Sequence, residues 1–315
     1  MDKKFSKEKL LNLANATKNS VANFGEATKN AAISVAENIK ESSEQFGDKM
    51  DKRKLENDKK RLCPIYKDDI LSSDFVIPTL IRVVDYDKRM ENKACEGAVG
   101  FYSGKDVKML NIYREFIDLI SIRFYPILEN TVYYVDPCFN DLYIKLDEYF
   151  AYLKKVRVDE LIEVARQLGA KHVEIILKSN TKSSKNESSS HSIGVGGVFS
   201  GEHSSTRAKN DAVGVEVAAK VDFLGNDRPS KPTLVYFKNE SDINTLINMR
   251  LDSESENKIL SKTYSLQYGN SSGIKVSDAQ KIDATLSNVS GGASRSVTNE
   301  AMSENSTILE YSINF

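Results

Sequence analysis

The run AVGVEVAAKVDF, residues 212–223, alternates without a break. Val213, Val215, Val217, Ala219, Val221 and Phe223 fall on one side, and Ala212, Gly214, Glu216, Ala218, Lys220 and Asp222 on the other. Period two over this length marks a β-strand with one apolar face, about 40 Å long when extended. Upstream, SIGVGGVFSG (192–201) repeats the pattern through Ile193, Val195 and Phe199, and the polar stretch EHSSTRAKND joins the two. Together they predict a long Gly/Ser-rich β-hairpin with small residues on its polar side. The second glycine of the shorter run suggests a bulge or a close backbone approach.

Outward from the hairpin, strands and helices alternate. KHVEIILK precedes it as a strand, followed by the Ser-rich tract SNTKSSKNESSSHS. After it, PTLVYF (232–237) and ILSKTYSLQY (259–268) read as strands. ESDINTLINMRL carries Ile243, Leu246 and Ile247 at helical spacing, and VSDAQKIDATL does the same with Ala279, Ile282 and Leu286 behind a Ser277 cap. TILEYSINF ends the chain as a strand with Leu309, Tyr311, Ile313 and Phe315 on one side. This order predicts an α+β fold with a mainly antiparallel sheet over 171–315, packed with the segment before it.

Residues 61–170 are rich in aromatic and aliphatic side chains and are expected to be mainly helical. FVIPTLIRVVD (75–85) is a short strand-like run, and Lys105–Ile120 has Leu110, Tyr113, Ile117 and Ile120 at helical spacing. The strongest helical pattern runs from Asp141 to Leu168, with Gly169 as its stop. Its acids, Asp147, Glu148, Asp159, Glu160 and Glu163, interleave with Lys154, Lys155 and Arg157 and read as a solvated face. Tyr133, Tyr134, Tyr143, Tyr149, Phe150 and Tyr152 read as core.

Residues 1–60 form a third region, in which 17–60 divide into four units of eleven: TKNSVANFGEA, TKNAAISVAEN, IKESSEQFGDK and MDKRKLENDKK. Eleven residues in three turns is about 3.67 per turn, close to the natural helical period. One helix side therefore collects Val21, Phe24, Ala32, Val35, Ile39, Phe46 and Met50 with little drift. No proline precedes Pro64, so a long amphipathic helical arm is predicted. The pattern resembles the eleven-residue repeats of late-embryogenesis-abundant proteins, apolipoproteins and synucleins. That likeness, confined to the repeat, implies affinity for a lipid surface.

Charge and motif content narrow the function. The chain has 44 Lys+Arg against 45 Asp+Glu, so a nucleic-acid partner held by bulk positive charge is not expected. The balance is uneven: residues 1–60 hold 13 basic and 10 acidic groups. Cys63, Cys95 and Cys138 are widely spaced and expected to be reduced thiols, which suits a cytoplasmic setting. The start MDKKFSKEKLLNLANATKNS lacks the apolar core of a secretory signal. His172, His191 and His203 fall in no metal-binding spacing, so no metal and no cofactor is expected. GVGGVFSG is a phosphate loop only in composition, and no GxSxG or GK[ST] occurs, so no catalytic residue is assigned.

These features predict a non-enzymatic, peripheral membrane-associated protein that engages lipid through the repeat. Insertion of the 192–223 hairpin, with pore formation, is its sharper form. The alternative is a cytoplasmic interaction module whose repeat forms a coiled coil with itself or with a partner helix.

Overall fold

The computed structural model describes residues 26–180, 213–252, 257–267, 273–287 and 296–315. The chain is a mixture of helices and mostly antiparallel strands that divides into two compact units.

The first unit takes the chain up to Val76, with Val84–Ser103 and Leu110–Leu119. It opens on helix α1 (Glu26–Leu62), which runs without interruption into a short strand β1 (Pro64–Tyr66) and helix α2 (Lys67–Leu71). Cys63 makes the sharp exit from α1 with a positive φ of 49°. Strand β1 pairs antiparallel with β3 (Ala98–Ser103), and β4 (Met109–Tyr113) lies next in order.

The second unit holds two sheets. In one, β2 (Leu80–Val84), β6 (Val132–Val135) and β7 (Leu142–Lys145) pair antiparallel, and β5 (Arg123–Tyr125) adds to β7 in parallel. In the other, all antiparallel, the order is β10 (Ser261–Gln267), β11 (Thr307–Asn314), β8 (His172–Asn180), β9 (Val213–Asp222). Helix α3 (Tyr149–Gln167) serves both. Its first turns, through Tyr149, Phe150 and Leu153, join a core with Leu80, Met109, Val132 and Ile144. Helices α5 (Val276–Leu286) and α6 (Val297–Asn305) close that core with Ala279, Ile282, Val297 and Ala301. Its later turns, through Leu161, Val164, Ala165 and Leu168, pack on Val173, Ile175, Leu309, Tyr311 and Ile313 of the second sheet. Helix α4 (Ser241–Leu251) completes this core with Ile243, Leu246 and Ile247.

The structure departs from the expected elements where burial overrides periodicity. Seven strands lie between residues 61 and 170, where helix was expected to dominate. Residues 109–113 form β4 and are all buried, so their spacing carries no information about helix. Residues 142–145 are β7, so the long helix begins at Tyr149 rather than near Asp141. Residues 232–237 form no strand: Pro232 offers no N–H, and the N–H groups of Val235 and Tyr236 donate to the Glu160 carboxylate at 2.6 and 2.8 Å. The cap of helix α5 lies two residues earlier than expected, at Lys275 in place of Ser277.

Residues 212–223 depart furthest from the expected pattern. Strand β9 pairs with β8, and its register slips by one residue: Ala219 sits opposite Ile175 but Val217 opposite Ile176. Ala218 is the extra residue of a β-bulge, and a one-residue slip exchanges the two faces of everything beyond it. Ala219, Val221 and Phe223 pack on the core, whereas Val215 and Val217 stand 59% and 54% exposed on the opposite face. Glu216 falls on the side that faces α3 and pairs with Lys154 there while staying 56% exposed. The expected single apolar face is thus divided in two. Ile193, Val195 and Phe199 lie outside the described residues, as do His191 and His203.

Candidate functional site

Helix α1 has a seat and a free side. Along its last turns Leu55, Asp58 and Leu62 are half-buried, spaced i, i+3, i+7 on one face, while the residues between them are exposed. The seat lies within the first unit, where the helix meets the short turn Lys93–Cys95 and Lys59 lies 5.6 Å from the centre of the Tyr66 ring. Met50, the last apolar position of the repeat, is 52% exposed. At about 100° per residue, Met50 is turned some 140° from Leu55. Positions 32, 35, 39 and 46 share the Met50 side by the same geometry. Val21 and Phe24, and the side chains of Ala32, Val35, Ile39 and Phe46, lie outside the described residues.

A second cluster occupies the seam between the two cores of the second unit. Asp136 is buried; its Oδ1 accepts the backbone N–H groups of Cys138 and Phe139 at 2.7 and 3.0 Å, and its Oδ2 accepts the Tyr236 hydroxyl at 3.0 Å. Burial, the Asp136 charge and hydrogen bonds to Tyr152 and Asp136 push the Tyr236 phenol far above its ordinary range. Arg157 of α3, expected on the solvated face, is fully buried instead. Glu304, near the end of α6, is buried as well, and its Oε2 has no hydrogen-bond partner among the described residues. Burial pushes the Glu304 carboxyl up to about 7, against the lowering effect of Arg157.

The Asp136 carboxylate is held by a loop and a phenol, so it is poorly placed to take a proton from a bound molecule. The cysteines are free thiols, Cys95 buried and Cys63 and Cys138 exposed, and burial raises the Cys95 thiol above its ordinary value. His172 is where the sequence placed it, on the outer face of β8, with Nδ1 2.5 Å from Asp222. Among the described residues no cluster of His, Cys, Asp and Glu is arranged to hold a metal, and no helix is long and apolar enough to cross a membrane.

The sequence brought forward none of Asp136, Arg157, Tyr236 and Glu304 as a group. One signal was present: Glu304 follows Val297 and Ala301 at i+7 and i+3, an acid on the apolar stripe of its own helix. No family model, curated protein or solved structure matches the chain.

Proposed function

We propose that the protein is a non-enzymatic, peripheral membrane-associated protein that lies on a lipid surface through the outward side of α1. The observation that carries the reading is the division of that helix: Leu55, Asp58 and Leu62 are half-buried on one side, and Met50 is 52% exposed on another. A side occupied by the molecule's own core would have no apolar positions to offer. Met50, the last of the repeat's apolar positions, falls away from the seat, which is the arrangement an interfacial helix needs. Insertion of β9 would strip Val221 and Phe223 from the core on which they pack, so the hairpin has no part in this function.

Flotation of the full chain with vesicles of phosphatidylcholine and phosphatidylserine tests this. The intact protein is expected to float without releasing an entrapped dye. The triple variant V35E/F46E/M50E is expected to remain in the dense fraction, and S34E/N38E, on another side of the helix, to float. Failure of the intact protein to float overturns the reading. Concentration-dependent self-association without flotation would assign the repeat to a coiled coil instead.

A further inference from the structure

Past Met50 the free side of α1 changes character. Arg53 lies three residues on, and Lys60 seven beyond that, so both continue the Met50 side; Lys49 borders it, eleven residues before Lys60. All three are exposed and form no ion pair among the described residues. Of the other cations of the same turns, Arg61 pairs with Asp58 at 3.2 Å, Lys59 lies over Tyr66, and Lys52 and Lys54 are exposed. Of the nearby acids, Asp51 and Asp58 fall toward the seated side, and Glu56 alone stands at the border of the cationic one. The outward side thus runs from apolar positions into a cationic end.

We infer that this side selects an anionic phospholipid surface over a neutral one, an inference that rests on the lipid reading above. Apolar positions up to Met50 suit the acyl boundary, and Lys49, Arg53 and Lys60 suit the phosphates and carboxylates of the headgroups. The charge layout favours lipid over a partner helix. An apolar seam between helices would have to accept Arg53 in line with Val35, Phe46 and Met50, and arginine there is desolvated without a stated partner. At a bilayer the same residue reaches the headgroup layer while its methylene stem stays on the apolar side.

The test uses the full chain with sucrose-loaded vesicles of pure phosphatidylcholine and of phosphatidylcholine with phosphatidylserine. Three basic side chains near a charged surface are expected to favour the anionic vesicles by about a hundredfold, at about fivefold each, and added salt is expected to collapse the preference. The variant K49Q/R53Q/K60Q is expected to keep binding phosphatidylcholine as the parent does but to lose the preference; its substitutions are exposed, so an unchanged urea transition verifies the fold. Equal binding of the parent to both vesicles overturns the selection while leaving the lipid reading standing. Binding to neither overturns both. A preference that survives in the triple variant, or one matched only by an acidic helical peptide, also overturns the assignment to this surface.

Discussion

Asp283 closes the start of a helix to which it does not belong. From α5 its Oδ2 accepts the Ser296 hydroxyl at 2.7 Å and the Thr298 N–H at 3.0 Å, and its Oδ1 accepts the Val297 N–H at 2.9 Å. Ser296 is itself the cap of α6, accepting from the Asn299 N–H. The first N–H groups of a helix have no partner within it, and a carboxylate there also meets the positive end of the helix dipole. One side chain therefore fixes α5 and α6 as a pair over the core that includes Ile282 and Val297.

Replacing Asp283 with alanine is expected to destabilise the protein by about 1–3 kcal/mol, as for a lost cap with partly buried donors. Burial alone would raise this carboxyl, but the hydrogen bonds from Thr298, Ser296 and Val297 hold it below its ordinary value. A depressed folded-state value stabilises above the unfolded-state pKa and is lost as pH falls through the folded one. Urea denaturation of parent and D283A should therefore show a gap at neutral pH that narrows in acid. A gap independent of pH would mean that packing, not the carboxylate, carries the effect.

Glu304 has the opposite sign. Its carboxyl is pushed up to about 7, so between the unfolded-state value and 7 the folded protein binds a proton that the unfolded chain releases. Its contribution is fully present below the unfolded-state value, declines across that window and is lost once pH passes about 7. E304Q, neutral at every pH, is expected to match the parent below the unfolded-state value and to exceed it in stability at alkaline pH by a few kcal/mol. Paired urea titrations at the two pH values read this directly. Equal pH profiles for the two proteins would show that Glu304 does not titrate in the buried seam.

Where one side of an element faces water, the sequence was legible. Leu309, Tyr311 and Ile313 alternate with polar residues in β11, and Ile243, Leu246 and Ile247 mark the buried side of α4. The strands lost to a helical reading are those covered on both faces, such as Met109–Tyr113, whose pattern is simply apolar. Residues 232–237 had the composition of a strand, but their N–H groups are claimed by Glu160, a residue more than seventy positions away. Met50, the last apolar position of the eleven-residue period, was legible as an outward residue of α1. The seat was not, because Leu55 and Leu62 acquire a neighbour only when the rest of the first unit folds against them. Arg157 and Glu304 were hidden for a similar reason: charge at a helical position reads as surface until the surrounding elements close over it.

The bulge at Ala218 makes a sharp claim about β9. Val221 packs on the core and Val217 does not, although both fell on one face of the uninterrupted alternation. V217T is expected to change stability by less than about 0.5 kcal/mol, as for a surface position. V221D, which buries a charge beside Val173, is expected to cost about 3 kcal/mol or more. Deleting Ala218 removes the slip and should turn Val217 and Val215 inward, exchanging their sensitivity with Glu216. Thermal or urea unfolding of the variants ranks them. Equal costs for V217T and V221T would place both on the same face and remove the bulge.

Gly169 ends α3 with a positive φ of 79°, a conformation that costs a side-chain-bearing residue roughly 1 kcal/mol. Steric closeness makes the position stricter still. A Cβ built there would lie 2.0 Å from the carbonyl oxygen of Asn226, on the loop that follows β9. That loop is fastened to the same helix end, since the Asn226 N–H donates to the Gly169 carbonyl at 3.2 Å and the Ser230 N–H to that of Gln167 at 2.8 Å. The backbone atoms of Asn226 cannot retreat without breaking these bonds, so G169A should cost more than the conformational term, about 2–4 kcal/mol. Asn is tolerated in the left-handed region elsewhere, yet G169N should fare no better than G169A, because both carry the Cβ that collides. If asparagine restores stability relative to alanine, backbone conformation rather than the Asn226 contact sets the requirement for glycine.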